Sequence, residues 1–273
     1  NLLSAWWAVG FLCFITAAFL ALYAFYLKRN PESGMKGFGF FGWFTFGMLL
    51  LAGFSMHFLS VQLLEPEKWK LWYLSGHVMN TSGTTIYDFR ISRYLHFIIP
   101  SFAITGVFMM LYGWFFSTRK DMDKDYLHWV AVSGAKMALW ATIIQIIIGF
   151  WWLFSLPKNL NFTTNIFLWI GAILGVVFFL VLMAAQKAPE KYAVLSALLA
   201  FLAVLGMSVS REVLRMVYLG KFNYSIYTYK LNISWGSTAL FLLTFVMGII
   251  VMAYPLAVAW KLGRYGSTSE EGA

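Results

Sequence analysis

Two histidines inside long apolar segments, His57 and His96, are the side chains of this sequence best suited to chemistry. A neutral imidazole offers one ring nitrogen to a metal ion, and an ionisable group within an apolar segment is costly unless it has a function. Two arginines, Arg211 and Arg215, stand four residues apart near the end of another apolar segment, so they share one face of a helix. The chemistry open to these four residues depends on the elements that position them.

The composition places those elements in a membrane. The 273 residues are 61% hydrophobic and 20% aromatic, and only 11% are charged, whereas a soluble domain carries about 25% charged residues. The sequence therefore predicts an all-α integral membrane protein, because β-barrel strands would be shorter and would alternate. The net charge of +9 fits membrane topology and anionic lipids, and nothing else in the sequence indicates a nucleic-acid partner.

The apolar segments predict a single transmembrane domain over residues 1–266 with about seven helices, each long enough to cross about 30 Å of hydrocarbon. The predicted spans are Ser4–Leu27, Phe38–Leu64, Ile91–Phe116, His128–Phe154, Thr163–Ala185, Tyr192–Leu219 and Ile233–Leu262. The first span is too long for the core of a signal peptide, so we interpret it as a helix. Residues 267–273 form a polar tail.

Basic residues in the short loops predict the orientation, because positively charged loops stay on the cytoplasmic side. The tight turns with Lys28 and Arg29 and with Arg119 and Lys120 are therefore placed inside. The amino terminus then faces outside, the carboxyl terminus faces inside, and the longest connection, residues 65–90, is an outer loop. In a chain with so few loop residues, such a loop is a candidate functional or docking element.

His57 and His96 are predicted to lie at matching depth in consecutive antiparallel helices. His57 precedes the outer end of the second span and His96 follows the outer start of the third, so both lie about 8–10 Å below the outer surface at about 1.5 Å per residue. Two imidazoles that face each other at one depth suit the two axial positions of a haem iron. The alternative is that each histidine is a hydrogen-bonded packing residue.

Arg211 and Arg215 lie near the outer end of the sixth span, at a depth close to that of the two histidines. A haem carries two propionate carboxylates, for which guanidinium groups are natural bidentate partners. The alternative is that both arginines extend to lipid phosphates. Met207, one helical turn before Arg211, and His77 in the outer loop are reserve ligands to the iron.

The sequence lacks the motifs that are typical of several other kinds of chemistry. The single cysteine, Cys13, lies in an apolar span, so the sequence predicts neither a disulfide framework nor a covalently attached haem. Motifs of zinc proteases, phosphate-binding loops and serine hydrolases are absent, and Glu212 is the only acid within a predicted span, which disfavours a proton or ion transporter. His128, at the inner end of the fourth span, is expected to be an interfacial residue.

Several segments resemble subunit I of the cytochrome bd quinol oxidases. The residues similar to the haem-ligating helix of that subunit are Arg93-Tyr94-Leu95-His96, Gly106, Trp114 and Arg119-Lys120-Asp121. The run Trp-Lys-Leu-Gly-Arg-Tyr-Gly at 260–266 resembles the last helix of the subunit and its exit, and Ser210-Arg211 is a weaker match to its Gly-Arg-Gln-Pro-Trp motif.

The resemblance implies that His96 is an axial ligand of a low-spin b-type haem near the outer face, beside a quinol site. The departures imply that the oxygen chemistry is lost: the first helix has no histidine, Ser208 replaces an expected glutamate, and Glu212-Val213-Leu214 replaces Gln-Pro-Trp. The expected methionine ligand of the fifth span and the long quinol loop are also missing. His57 would then be the second ligand, and a bis-histidine iron has no open position for oxygen.

The sequence thus predicts a membrane-bound b-type cytochrome subunit with one low-spin, bis-histidine haem b and with quinone or quinol as a further ligand. It would relay electrons between the quinone pool and an outer-side partner, such as a periplasmic c-type cytochrome. Its setting would be a quinol-linked oxidoreductase complex of the respiratory chain, in a bacterial or archaeal inner membrane. The alternative is a non-redox membrane anchor of a larger complex, or a small-solute permease, in which both histidines are packing residues.

Overall fold

The computed structural model describes residues 4–27, 39–75, 78–86, 88–223 and 232–266. Its α-helices are α1 (Ala5–Leu27), α2 (Gly39–Gln62), α3 (Pro66–Tyr73), α4 (Ile91–Phe116), α5 (Lys124–Ser155), α6 (Ile166–Ala185), α7 (Pro189–Gly220) and α8 (Trp235–Tyr265). All of them except α3 are long and apolar enough to cross a membrane. The predicted helical, multi-pass architecture is therefore confirmed for the described part of the chain.

Two of the helices begin earlier than the apolar pattern predicts, because local capping decides where a helix starts. α5 begins at Lys124, where the Asp123 carboxylate accepts backbone N–H bonds at 2.9 and 3.3 Å. α7 begins at Pro189, since proline fits the first turn of a helix, where its missing N–H would have no partner. The predicted starts, His128 and Tyr192, mark only where the apolar sequence begins.

The connection between α2 and α4, predicted as a loop over residues 65–90, contains α3 and a short hairpin. Strand β1 (Leu74–Ser75) pairs antiparallel with β2 (Val78–Met79). Beyond the hairpin, the chain is fixed to α1, because the Trp7 indole N–H donates to the Thr84 carbonyl at 2.7 Å. The connection and the amino-terminal end of α1 are thus joined by hydrogen bonds.

The chain forms two compact units, each described by itself below. The first comprises Asn1–Pro100, Gln145–Leu160 and Val217–Leu219, and the second comprises Ser101–Ile144, Asn161–Met216 and Gly220–Ala273. The first unit contains α1, α2, α3, the hairpin and one end of α4 and of α5. The core of the second unit is built from Val107, Met110, Ala135, Ala138, Phe178, Leu182, Ala185, Ala193 and Ala200. The many alanines let its helices approach closely.

Within the second unit, α4 and α5 are in direct backbone contact. A Cβ atom added to Gly106 would lie 2.5 Å from the carbonyl oxygen of Gly134 and 2.6 Å from the backbone nitrogen of Ala138. Lipid tails are as apolar as the side chains, so close packing at small residues replaces hydrophobic burial as the force that joins membrane helices. The Gly106–Gly134 contact therefore fixes how the second-unit parts of α4 and α5 pack.

We expect Gly106→Ala to destabilise the protein, because the new methyl group would meet backbone atoms that cannot move aside individually. Overpacking of this kind costs about 1–3 kcal/mol, which thermal unfolding in detergent would show as a lower midpoint. The matched control is Gly175→Ala in α6, where an added Cβ meets nothing within 4 Å. An unchanged midpoint for Gly106→Ala would show that the two helices are not in backbone contact.

Candidate functional site

His57 lies buried on the side of α2 that packs against the start of α4. Its ring contacts the rings of Phe89 and Tyr94, with centroids 5.2 and 5.8 Å apart. Nε2 accepts a long hydrogen bond of 3.4 Å from the backbone N–H of Arg90, which places the proton of the neutral ring on Nδ1. Nδ1 is buried without a hydrogen-bond partner. Such an atom is unusual in a native interior and marks a place where a ligand or a rearranged neighbour could add a bond.

His96 lies against α5 through a contact with a glutamine. Its Nδ1 is 3.0 Å from Nε2 of Gln145, and its ring lies 4.9 Å from that of Trp152 between centroids. Gly149 makes room for this approach, since a Cβ there would stand 3.2 Å from Cε1 of His96. As an amide nitrogen only donates, Nδ1 accepts and the neutral ring carries its proton on Nε2. In this arrangement Nε2 is not free to bind a metal.

The contacts of His57 and His96 are made with different elements. Tyr94, the α4 residue that contacts His57, donates its hydroxyl to the carbonyl of Leu50 in α2. His96 is two residues farther along α4, which is about 200° around a helix of 3.6 residues per turn, and it faces α5. Two imidazoles on one haem iron must approach the metal from opposite sides. The donor atoms are of the right type, but the bis-histidine arrangement does not fit this conformation without a rearrangement of the two side chains.

Arg211 and Arg215 are exposed on α7, in the second unit. Nε of Arg215 donates to Oε1 of Glu212 at 3.0 Å, three residues back on the same helix. This ion pair occupies the guanidinium that was expected to meet a propionate. Met207 is half-buried on the same helix, and the reserve ligand His77 lies outside the described residues.

His128 is exposed at the start of α5, as the sequence predicts for an interfacial residue. Its Nδ1 is 2.8 Å from Oε1 of Glu190, in the first turn of α7. Within the second unit, this contact joins the starts of α5 and α7. The partner and the exposure indicate that His128 has a structural role at a helix end.

A group of polar side chains that the sequence analysis did not single out joins the two ends of the α2–α4 connection. This group, here called the Glu65 cluster, comprises Glu65, Lys68, Asp88, Arg90 and Tyr218. The ammonium of Lys68 lies 2.6 Å from Glu65 and 3.2 Å from Asp88. The Arg90 guanidinium forms an ion pair with Glu65 and donates to the Tyr218 hydroxyl at 3.0 Å. Two acids and two bases therefore balance their charges at this point of the first unit.

The acids of the Glu65 cluster differ in their affinity for a proton. Glu65 is only 7% exposed, and burial raises the pKa of its carboxyl. A hydrogen bond with Glu65 lowers the pKa of Asp88, and another raises the pKa of Lys68. Between the two acids, Glu65 is therefore the one that keeps a proton to higher pH. A buried carboxyl is tolerated here because its charge is paired on two sides.

Positive charge is concentrated near His57. The Arg90 backbone contacts the His57 ring, and Arg93, one helical turn later, is buried with its guanidinium 5.8 Å from the centre of the Phe97 ring. The sequence shows two arginines at the start of α4, and Arg93 belongs to the segment that resembles a haem-ligating helix, but nothing in the sequence predicts that they lie beside His57. The structure places both next to the buried histidine.

Two segments that carry the sequence resemblance meet in the second unit, at the ends of α4 and α8. The Arg264 guanidinium lies over the Trp114 ring at 4.3 Å and donates to the Phe115 carbonyl at 3.4 Å. Gly263 allows this approach, since a Cβ there would lie 3.0 Å from Cε1 of Phe115. Arg264 thus satisfies a carbonyl at the end of α4, which has no partner within its own helix. Arg264, in the last turn of α8, therefore has a structural role at this junction.

Comparisons of the chain with protein-family models, with curated proteins and with solved structures found no match. The functional argument therefore depends on the residues and on their contacts. The resemblance to a quinol oxidase subunit stays an interpretation of the sequence.

We expect Arg90→Ala to lower the free energy of unfolding by about 2–3 kcal/mol. Removing one partner of a buried ion pair costs about 3–5 kcal/mol, and Lys68 still compensates part of the Glu65 charge. Thermal unfolding followed by tryptophan fluorescence would measure the change. The control is Lys70→Ala, an exposed lysine of α3 in the same connection, which should have little effect. Equal effects of the two substitutions would mean that the Glu65 cluster does not hold the connection.

Proposed function

We propose that the chain is a membrane-bound b-type cytochrome subunit that relays electrons between the quinone pool and a redox partner on the outer side of the membrane. The observation that carries this proposal is the presence of one imidazole inside each of two neighbouring spans, His57 in α2 and His96 in α4. Both lie in the turns nearest the α2–α4 connection. The similarity of the Arg93–His96 segment to a haem-ligating helix supports it further.

In this proposal His57 and His96 would hold one low-spin, bis-histidine haem b. The proton of His57 is already on Nδ1, so Nε2 would become available once its long bond to the Arg90 N–H is given up. His96 would have to exchange its contact with Gln145, so that Nδ1 donates and Nε2 is freed. The haem would supply one-electron transfer, and the protein would supply the ligands and their surroundings.

Arg211 and Arg215 are proposed to neutralise the haem propionates. A guanidinium and a carboxylate form two parallel hydrogen bonds when they meet in a plane. Arg215 would have to exchange Glu212 for a propionate, whereas Arg211 is exposed on the same helix. Met207 and His77 remain the reserve ligands.

The proposed setting is a multi-pass subunit of a respiratory complex in a bacterial or archaeal inner membrane, with the amino terminus outside. Quinone or quinol would be the membrane-side reactant, and a c-type cytochrome on the outer side would be the partner. Lipids surround the spans, and the apolar part of α8 is wholly exposed within the described structure. A subunit with one haem needs a second redox centre from elsewhere, which is why we propose a complex.

A non-redox membrane anchor is the second candidate, and one observation favours it. His57 and His96 each pack against a different helix, and both have hydrogen-bonded and aromatic neighbours within the protein. In an anchor, both would simply be packing residues, as the sequence analysis allowed. The haem content of the protein separates the two candidates.

We expect His57→Ala and His96→Ala each to abolish low-spin haem, because each substitution removes an axial nitrogen. Haem bound per chain would be measured by the pyridine haemochrome assay after expression with added haem precursor. His128→Ala is the control, since its partner is Glu190 and its haem content should be unchanged. Full haem content in both the His57 and the His96 variants would rule out the bis-histidine site.

Impermeant thiol reagents test the proposed orientation. In a Cys13→Ser background, Ser82→Cys should be labelled from outside and Ser117→Cys from the cytoplasm, because the exposed residues at these positions belong to opposite ends of α4. Intact cells and inverted membrane vesicles give the two accessible sides. Labelling of both cysteines in intact cells would contradict the alternation of spans, and exchange of the two sides would reverse the orientation.

A further inference from the structure

The connection between α2 and α4 leaves a set of large apolar side chains exposed. This set, here called the hairpin surface, comprises Leu71, Leu74 and Met79, with exposed fractions from 37% at Leu74 to 70% at Leu71. Leu74 and Met79 are direct partners across the two strands, so they project from the same face of the hairpin. Such a cluster outside the spans indicates an interaction surface.

The hairpin surface cannot move far from the end of α2. Pro66 opens α3 a short link after Gln62, the last residue of α2, and a chain spans at most about 3.6 Å per residue. The structure shortens the distance further, because the Trp69 indole N–H donates to the Gln62 carbonyl at 2.7 Å. The helix α3 therefore packs directly on the last turn of a membrane span.

The other end of the connection is held at the same level. Lys68 of α3 pairs with Asp88 at 3.2 Å, and Asp88 stands close to the start of α4 at Ile91. Arg90 pairs with Glu65 across the connection. Both ends of the connection are thus tied where two spans end, which is where the hydrocarbon meets the polar head groups.

The residues of α3 have the chemistry of that boundary. Its sequence is Pro-Glu-Lys-Trp-Lys-Leu-Trp-Tyr, in which tryptophan and tyrosine combine an apolar ring with one polar group and lysines end in a charge. Aromatic residues of this kind gather at membrane interfaces, and lysine stems lie along apolar surface while the ammonium reaches phosphates. Trp69 shows the arrangement directly, since its N–H is bonded and its ring is exposed.

We propose that the hairpin surface inserts into the boundary between the lipid head groups and the acyl chains, so that its occupant is lipid. An apolar face held at the level of span ends, beside the exposed Lys70, fits an interfacial element. The inference does not depend on the proposed haem. A protein partner on the same surface is the competing occupant, and it would leave the surface in water when the subunit is alone.

Nitroxide labels test this directly. In a Cys13→Ser background, Leu71→Cys and Met79→Cys would be labelled separately, and the protein reconstituted alone into nanodiscs of phosphatidylcholine and phosphatidylglycerol. Power-saturation measurements then compare collisions with oxygen, which concentrates in acyl chains, and with a water-soluble nickel chelate. Ser82→Cys, exposed in the same connection, sets the value for water, and Phe108→Cys, exposed in α4, sets the value for lipid.

We expect the oxygen-to-nickel ratio at positions 71 and 79 to exceed that at position 82 several-fold and to approach that at position 108. The two labelled positions are independent, so a local disturbance at one does not affect the other. Ratios at 71 and 79 equal to the ratio at 82 would overturn the proposal, because the hairpin surface would then face water and be open to a protein partner.

Discussion

The geometry of helix α4 is the constraint on which the candidate site depends. Residues two apart in a helix point in nearly opposite directions, so Tyr94 faces α2 while His96 faces α5. The side toward α2 contacts His57. Farther along the helix, Gly106 sets the contact with α5. A cofactor bound by both histidines would therefore have to reach around α4, or the helices packed against α4 would have to shift.

Charge is distributed in the first unit so that the membrane tolerates it. The charged members of the Glu65 cluster lie at the ends of spans, where water and head groups can still solvate them. Arg93 also lies in the first turn of α4, but it is buried, one turn from His96. A neutral imidazole is the form that binds a metal. The surroundings of His57 are thus chemically suited to a ligand even though the pair is not preformed.

The sequence predicted the spans because hydropathy and length decide them, and the helix α4 (Ile91–Phe116) has the predicted bounds. It could not predict that α3 and a hairpin occupy the α2–α4 connection, because these elements are short and depend on contacts such as Trp69 with Gln62. The positions of His57 and His96 along α2 and α4 could be obtained by counting residues. Their directions did not, because a helix must be rotated against its neighbours before a side chain can be assigned to a face.

The ion pairs also show which contacts can be predicted from the sequence and which cannot. Glu65 and Arg90 are twenty-five residues apart, and only the folded connection brings them together. Arg215 and Glu212 lie three residues apart on one helix, so helical spacing alone predicts that they pair. That pairing competes with the predicted contact between Arg215 and a haem propionate. Partners within one helix can be read from the sequence, whereas partners across a connection cannot.

The reduced-minus-oxidised absorption spectrum of the purified protein tests the proposed cytochrome function most directly. The protein would be expressed with haem precursor, purified in mild detergent, oxidised with ferricyanide and then reduced with dithionite. We expect a b-type difference spectrum with sharp bands, which a low-spin haem b gives. The haem content should be about one per chain, because two histidines hold one iron. Folded protein without any haem difference spectrum would contradict the function and would favour a non-redox anchor.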